Sequence, residues 1–370
     1  MADVKAFLDA GANALEPDIC VAPSSSGNMT YYVSHDHTPS SNPFDPAHSL
    51  VTWLKGVHAL LTEKGKNRNL ALIMFDFKDP SKAGINDFLS VVHEFFGQFP
   101  ICSGVAIGVT VGSRADVGFL NAYDSLYANA AVGIDEEKEP IKVIGDFVAG
   151  QQHRYSYANG IILTGIKLGV FSSMLDAKGL QATHDGMKLV YTWIVADADA
   201  MRDYLHIHLD GMIVDLGTVA QLKGILLEKE FAPLYELAHN GYNPWDAPTP
   251  PIYCATIYTA DVNLAGTDAV IEFLLKGSNG QLVSVLNADY KDVLEQNTTT
   301  SLTFVGGNLG TISSLKLTAL NSDINSDWLP IMIRVTSNKD ANVSWFNFGP
   351  DEWLKKGHPL TKPSQSAPAM

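Results

Sequence analysis

Two pairs of charged residues share one spacing in this chain: Glu16 with Asp18, and Asp76 with Lys78. Side chains alternate faces along an extended backbone, so each pair points one way. The run Ala14 to Val21, with Leu15, Ile19 and Val21 apolar, reads as a short buried strand. Two carboxylates on one face of it repel unless a cation or a proton lies between them. A solvated face or a salt bridge is the plain alternative, but the apolar setting and the His35-Asp36 that follows favour a metal site. Leu70 to Phe75 is a second apolar run, carrying Asp76 and Lys78 at its end and stopped by Pro80. An oxygen-ligated dication takes several carboxylates and leaves its other positions to water or phosphate. Lys78 cannot ligate a cation, yet it can hold the anion that the cation also binds. Together the four suggest a phosphate ester as substrate; the competing reading of Lys78 is a surface pair with Asp79.

The elements that must position these groups alternate. An amphipathic helix is expected over Ala2–Asp9, with Val4, Phe7 and Leu8 on one face. Helices follow at Leu50–Thr62, Ile85–Phe96, Val117–Tyr127 and Ala198–Leu205. Strands are expected at Val105–Val111, Ala130–Ile134, Ile161–Leu168, Leu189–Val195 and Gly211–Asp215. Strands alternating with helices over about 250 residues predict an α/β fold, a TIM-type (β/α)8 barrel with its chemistry at the C-terminal strand ends. A proline-rich linker at 247–251 closes a domain spanning 1–246. Short alternating strands then predict an all-β sandwich over 252–356, and the polar stretch 357–370 reads as a disordered tail.

The 370 residues are 46% hydrophobic and 18% charged, ordinary globular material in sufficient length for two domains. The net charge of −15 argues against a nucleic-acid partner and against anionic membranes held by charge alone. No run of eighteen apolar residues is present, so no transmembrane helix is expected. Cys20, Cys102 and Cys254 are too few and too scattered for a disulfide framework or a zinc knuckle. His206-Ile-His208 lacks a third ligand at useful spacing and reads as structural. Without a Gly-x-Ser-x-Gly elbow, a Walker loop or a Gly-x-Gly-x-x-Gly fingerprint, serine hydrolase, nucleoside-triphosphatase and dehydrogenase readings are poor.

The segments GANALEPDI (11–19), VSHDH (33–37), MFDFKD (74–79), LVYTWIVADADAMRDYLHIHLDGMIVD (189–215) and GYNPW (241–245) resemble the sphingomyelinase D/phospholipase D toxin family. Those proteins are relatives of the glycerophosphodiester phosphodiesterases. The resemblance implies Mg²⁺ on Glu16, Asp18 and Asp76, a catalytic His35, and Lys78 and Trp193 lining the substrate site. It further implies attack on phosphorus by the substrate's own hydroxyl, leaving a cyclic phosphate, and a secreted setting. Asp76-Phe-Lys78, where general phosphodiesterases more often carry Glu-x-Lys, leans toward the toxin-like branch, as does Tyr191-Thr-Trp193. Residues 252–356 resemble a PLAT (lipoxygenase-homology) domain, through Ala265-Gly-Thr-Asp268-Ala, Asp327-Trp328-Leu and Trp345 to Trp353. Such domains bring enzymes to lipid surfaces or protein partners. Asp261 and Asp268 there offer oxygen ligands for Ca²⁺.

Resembling proteins place a strand with a second catalytic histidine before the first helix, so the barrel is expected to lack its first strand as the chain is given. A signal peptide would then be out of view. The leading expectation is a Mg²⁺-dependent phospholipase D or sphingomyelinase D-like phosphodiesterase acting on choline phospholipids. A soluble glycerophosphodiester phosphodiesterase and an inactive barrel that binds lipid or protein are the alternatives.

Overall fold

The computed structural model describes residues 1–23, 29–34, 48–135, 138–160, 168–229, 231–247, 251–286, 294–320, 327–339 and 343–365. In chain order the first part runs α1 (Ala2–Ala10), β1 (Ala14–Leu15), β2 (Asp18–Pro23), β3 (Met29–Val33), α2 (Leu50–Leu61), β4 (Leu72–Phe77), α3 (Ile85–Gly97) and α4 (Pro100–Ser103). It continues with β5 (Ala106–Val111), α5 (Val117–Asn121), β6 (Ala130–Ile134), α6 (Pro140–Ala149), β7 (Tyr155–Gly160), α7 (Leu168–Gln181), β8 (Met187–Trp193), α8 (Ala198–His206), β9 (Gly211–Met212) and α9 (Leu216–Leu226). Local chemistry sets several of these bounds. Ser49 Oγ accepts from Thr52 N–H at the start of α2, and Asp197 does the same for Ala200 at α8. Gly11, at φ 95°, ends α1 in the left-handed conformation that glycine tolerates best.

From β2 through β4, β5, β6, β7 and β8 to β9 the strands pair in parallel, with β1 also on β4. β3 instead folds back on β2 as an antiparallel hairpin. The path ends at β3 and β9, and no pairing among the described residues joins those two strands into a closed barrel. Helices cover the outer face. Phe75, Phe77 and Phe88 meet edge to face there, with centroids 4.8–5.0 Å apart between Phe88 and each of the other two. The inner face is lined by Met74, Ala106, Ala131, Ala158, Leu189 and Tyr191, packed with the fully buried Trp245. Trp245 donates its Nε1–H to Asn129 O at 3.1 Å. Asn240 reaches Leu70 O and Ile101 O, while Asn13 and Asn69 both donate to Ala238 O. The segment 238–245 is thereby laced across the N-terminal ends of the strands as a floor, which leaves the C-terminal ends for chemistry.

Two expectations are corrected here. For the strand expected over 161–168, the described structure has a strand immediately before it, β7, and a helix at its last residue. Residues 161–167 are outside the described residues and Leu168 already belongs to α7. β7 reads Tyr-Ser-Tyr-Ala-Asn-Gly, a polar run that is buried all the same, with Asn159 donating to Ser173 Oγ, so hydropathy pointed to its more apolar neighbour. The helix expected to reach Tyr127 stops at Asn121.

The second part comprises β10 (Ile252–Thr259), β11 (Ile271–Gly277), β12 (Gln281–Leu286), β13 (Thr299–Val305), β14 (Ile312–Ala319), β15 (Pro330–Ser337), β16 (Val343–Asn347) and β17 (Leu360–Pro363). They form two antiparallel four-stranded sheets, ordered β13-β10-β15-β16 and β12-β11-β14-β17. β10 alternates half-buried and buried positions along its whole length, the period of a strand with one face on a core. Tyr253, Ile257, Phe273, Leu315, Trp328 and Phe346 fill that core. The disordered tail expected from 357 is corrected by β17, which pairs with β14 and carries Lys362 onto Glu352 at 2.6 Å. Its Thr-Lys-Pro composition hid a strand that alternates half-buried and exposed positions on the edge of its sheet.

A tight seam joins the two parts. His208 Nδ1 accepts from Gly307 N–H at 2.9 Å, and α7 and α8 pack on β13 and β12. A Cβ on Gly307 would lie 3.0 Å from Leu234 and one on Gly306 3.2 Å from His208, so the glycines permit the close approach.

Candidate metal centre and substrate pocket

Strand register brings the acids together. Asp18 on β2 and Asp76 on β4 are direct partners across a parallel ladder, so their side chains leave the same face of the sheet side by side. Asp76 N–H donates to Pro17 O and Lys78 N–H to Ile19 O, at 3.1 and 3.0 Å, which pins both chains where the strands end. Glu16 sits one residue beyond β1, in the gap between β1 and β2. Carboxylate oxygens of Glu16, Asp18 and Asp76 all lie within 4.8 Å of one another. Among the described residues this is the one group of three or more acidic, histidine or cysteine ligands at such distances. Lys78 Nζ is 2.8 Å from Asp18 Oδ1 and also contacts Asp76 Oδ2.

Crowding shows in the electrostatics. Burial, then the charges of Asp18, Asp76 and Asp135, push the Glu16 carboxyl up to about 9. Burial opposes the charge on Lys78, but Asp76 and Asp18 outweigh it and hold the ammonium's pKa above its ordinary value. Three hard oxygen donors with no thiol or imidazole among them fit a small divalent cation such as Mg²⁺. The surplus negative charge that raises Glu16 is what such an ion would relieve.

One wall of the site comes from β6 and β8. Asp135, buried just beyond β6, accepts from Tyr191 O–H at 2.6 Å, and its backbone carbonyl accepts from Trp193 Nε1–H at 2.9 Å. Burial, with Asp76 next in weight, raises the Asp135 carboxyl above the usual range for a carboxylic acid. Burial and Asp135 likewise hold the Tyr191 phenol well above its ordinary value. Gly160 pairs with Trp193 across β7 and β8, and a Cβ there would collide with the Trp193 backbone carbonyl. Only glycine lets that aromatic residue lie so close.

Of the residues singled out in the sequence, Glu16, Asp18, Asp76 and Lys78 thus form one cluster, and Trp193 belongs to the wall that Asp135 braces. His35 lies outside the described residues, as do Asp36 and His37; the last described residue before them, Ser34, bonds through its N–H to Asp18 O at 3.1 Å. Tyr191 was noted only within Tyr191-Thr-Trp193, as leaning toward the toxin-like branch, and Asp135 was not singled out. The signal was an acid directly after the apolar strand Ala130–Ile134, the pattern already used for Asp76. Asp261 and Asp268 in the sandwich gather no comparable group among the described residues, and Asp261 takes a hydrogen bond from Gln296.

Residues 1–245 match the family model for the dermonecrotic toxin SPH, and residues 253–362 match that of the PLAT/LH2 domain. Dermonecrotic toxin Hl-PLD1 of Hemiscorpius lepturus is 23% identical over 284 residues, covering 68% of this chain and 82% of the toxin. LiSicTox-betaID1, a dermonecrotic toxin of Loxosceles intermedia, is 25% identical over 265 residues, covering 65% and 83%. Among solved structures, a coral 8R-lipoxygenase matches 31% of this chain and 17% of its own, at 23% identity and a TM-score of 0.29. With its first two thirds matched by that model, the chain belongs to the dermonecrotic toxin SPH family, phospholipase D-type enzymes of the sphingomyelinase D kind, and carries a PLAT/LH2 domain behind it.

Proposed function

We propose that this chain is a Mg²⁺-dependent phospholipase D that removes the head group of choline phospholipids at a lipid surface, outside the cell. The observation that carries the reading is the cluster of Glu16, Asp18 and Asp76, with Lys78 on it and the Asp135–Tyr191–Trp193 wall beside it. Glu16, Asp18 and Asp76 hold the ion, which when bound supplies a Lewis acid for a phosphodiester oxygen. Lys78 neutralises negative charge on the phosphoryl group. Trp193 offers an aromatic face to a quaternary ammonium, and Asp135 a carboxylate nearby to favour the same positive charge. His35 is assigned the proton transfers, on its resemblance to the family's catalytic histidine. A hydroxyl of the lipid attacks phosphorus, its proton is taken up, and choline leaves with a proton, so that a cyclic phosphate remains. The sandwich from residue 252 onward is assigned the lipid surface or a protein partner there.

Choline release from sphingomyelin vesicles, measured with Mg²⁺ and with EDTA, tests this. The expected result is turnover with Mg²⁺ only, lost in Asp76→Ala together with the rise in melting temperature that Mg²⁺ produces in the parent protein. His35→Ala should lower turnover by roughly 10²–10⁴-fold and leave Mg²⁺ binding intact. Turnover of glycerophosphocholine but not of vesicles would establish the soluble phosphodiesterase instead. Mg²⁺ binding without turnover of either would leave an inactive binding module.

A further inference from the structure

Two of the three carboxylates that a dication would need are already in contact with a cation of the chain itself. Lys78 Nζ stands 2.8 Å from Asp18 Oδ1 and touches Asp76 Oδ2. A bound Mg²⁺ would lie about 2.0–2.1 Å from its oxygens, so ammonium and ion cannot share Asp18 and Asp76 without close repulsion between like charges. The lysine is built to leave. Its backbone is fixed by the bond from its N–H to Ile19 O, so only the four-carbon stem needs to swing. Its side chain is 27% exposed against 13% for Asp18 and 9% for Asp76, so the lysine is the most accessible of the three.

We propose that Lys78 is a tethered exchangeable counter-cation. It holds the carboxylates together when no metal is present, is displaced when the dication binds, and only then turns its charge to the substrate phosphate. The inference rests on the assignment of Glu16, Asp18 and Asp76 as metal ligands and adds an order of events to it. Lys78 and the metal compete for the same acids, and phosphate gains its lysine only in the metal-loaded site. A lysine that merely braced the fold would affect stability with and without metal alike and leave metal affinity unchanged.

Titration calorimetry of the full chain with MgCl₂ alone, at constant ionic strength, separates these. Lys78→Met should melt at a lower temperature without metal, bind Mg²⁺ about tenfold more tightly, and gain more in melting temperature from Mg²⁺ than the parent does. Should Lys78→Met fail to fold without metal, Lys78→Arg keeps the charge. Its guanidinium can grip carboxylates in a fork, so Mg²⁺ binding should weaken by about tenfold. Parent-like or weaker Mg²⁺ affinity in Lys78→Met, or parent-like or tighter affinity in Lys78→Arg, overturns the exchange while leaving the metal site standing. No Mg²⁺ binding by the parent protein would overturn both.

Discussion

Asp135 illustrates how much a single side chain depends on its surroundings. The carboxyl is buried, close enough to Asp76 to feel its charge, and held at Oδ1 by the Tyr191 hydroxyl. A buried negative charge is costly unless something answers it, and the proposed answer is the positive head group of the substrate. Asp135→Asn preserves the shape and can still accept from Tyr191, but it removes the charge. It should therefore lower kcat/KM on a lysophosphatidylcholine by about tenfold or more, and much less on a lysophosphatidylglycerol, which has the same attacking hydroxyl but no cation in its head group. Mg²⁺ binding should be kept. An unchanged preference between the two lipids would assign Asp135 to bracing Tyr191 and Trp193 rather than to recognising the head group.

Element by element, the frame depends on polar bonds at strand ends as well as on its apolar layers. Lys178 on α7, only 3% exposed, donates to Gln181 Oε1 at 2.6 Å and to Asp210 Oδ1 at 2.9 Å. Asp210 Oδ2 in turn accepts from Gln181 and from Val190 N–H on β8. One helix is thereby tied to β8, which ends at Trp193, and to the start of β9. Lys178 is buried but Asp210 is partly exposed, so water can answer the carboxylate in part, and Lys178→Met should cost about 1–2 kcal/mol in a denaturant titration. Mg²⁺ affinity should be unaffected, since the cluster stands on the stretch from β1 into β2 and on the end of β4. A loss below about 0.5 kcal/mol would mean that water replaces the lysine easily. Where apolar periodicity governs an element, the sequence made it legible: β6 and β10 run over the expected residues. β7 was not legible, because its burial depends on partners distant in the chain, such as Ser173 for Asn159. The site followed the same division. Glu16, Asp18, Asp76 and Lys78 were readable from spacing within two strands, whereas Asp135 and Tyr191 acquire their relation only when β6 and β8 are placed in one sheet.

The two parts of the molecule meet across a seam whose polar centre is His208. Burial, then Lys178, lower its pKa from 6.5 to about 3, and Nδ1 must stay unprotonated to accept from Gly307. Between pH 6.5 and 3 the unfolded chain binds a proton there that the folded chain refuses, so stability is present above the window and drains away as pH falls through it. His93, lowered to about 4 by burial, adds in the same direction. His208→Asn keeps an acceptor without the titration and should flatten the acid side of a melting-temperature profile, leaving the His93 share. The same seam bears on how the sandwich can serve the catalytic part. A seam as close-packed as Gly306 and Gly307 allow keeps the sandwich from swinging, so a lipid surface met by the sandwich would lie at a fixed angle to the metal cluster. A rigid pair should unfold together, as one calorimetric transition whose van't Hoff and calorimetric enthalpies agree. Gly307→Val places carbon where Leu234 stands 3.0 Å away, so it should pry the seam apart without touching either core. The expected result is two transitions, with activity on a short-chain soluble phosphodiester retained and activity on vesicles reduced. Two transitions already in the parent protein, or equal losses on both substrates in Gly307→Val, would show that the seam does not set the orientation of one part against the other.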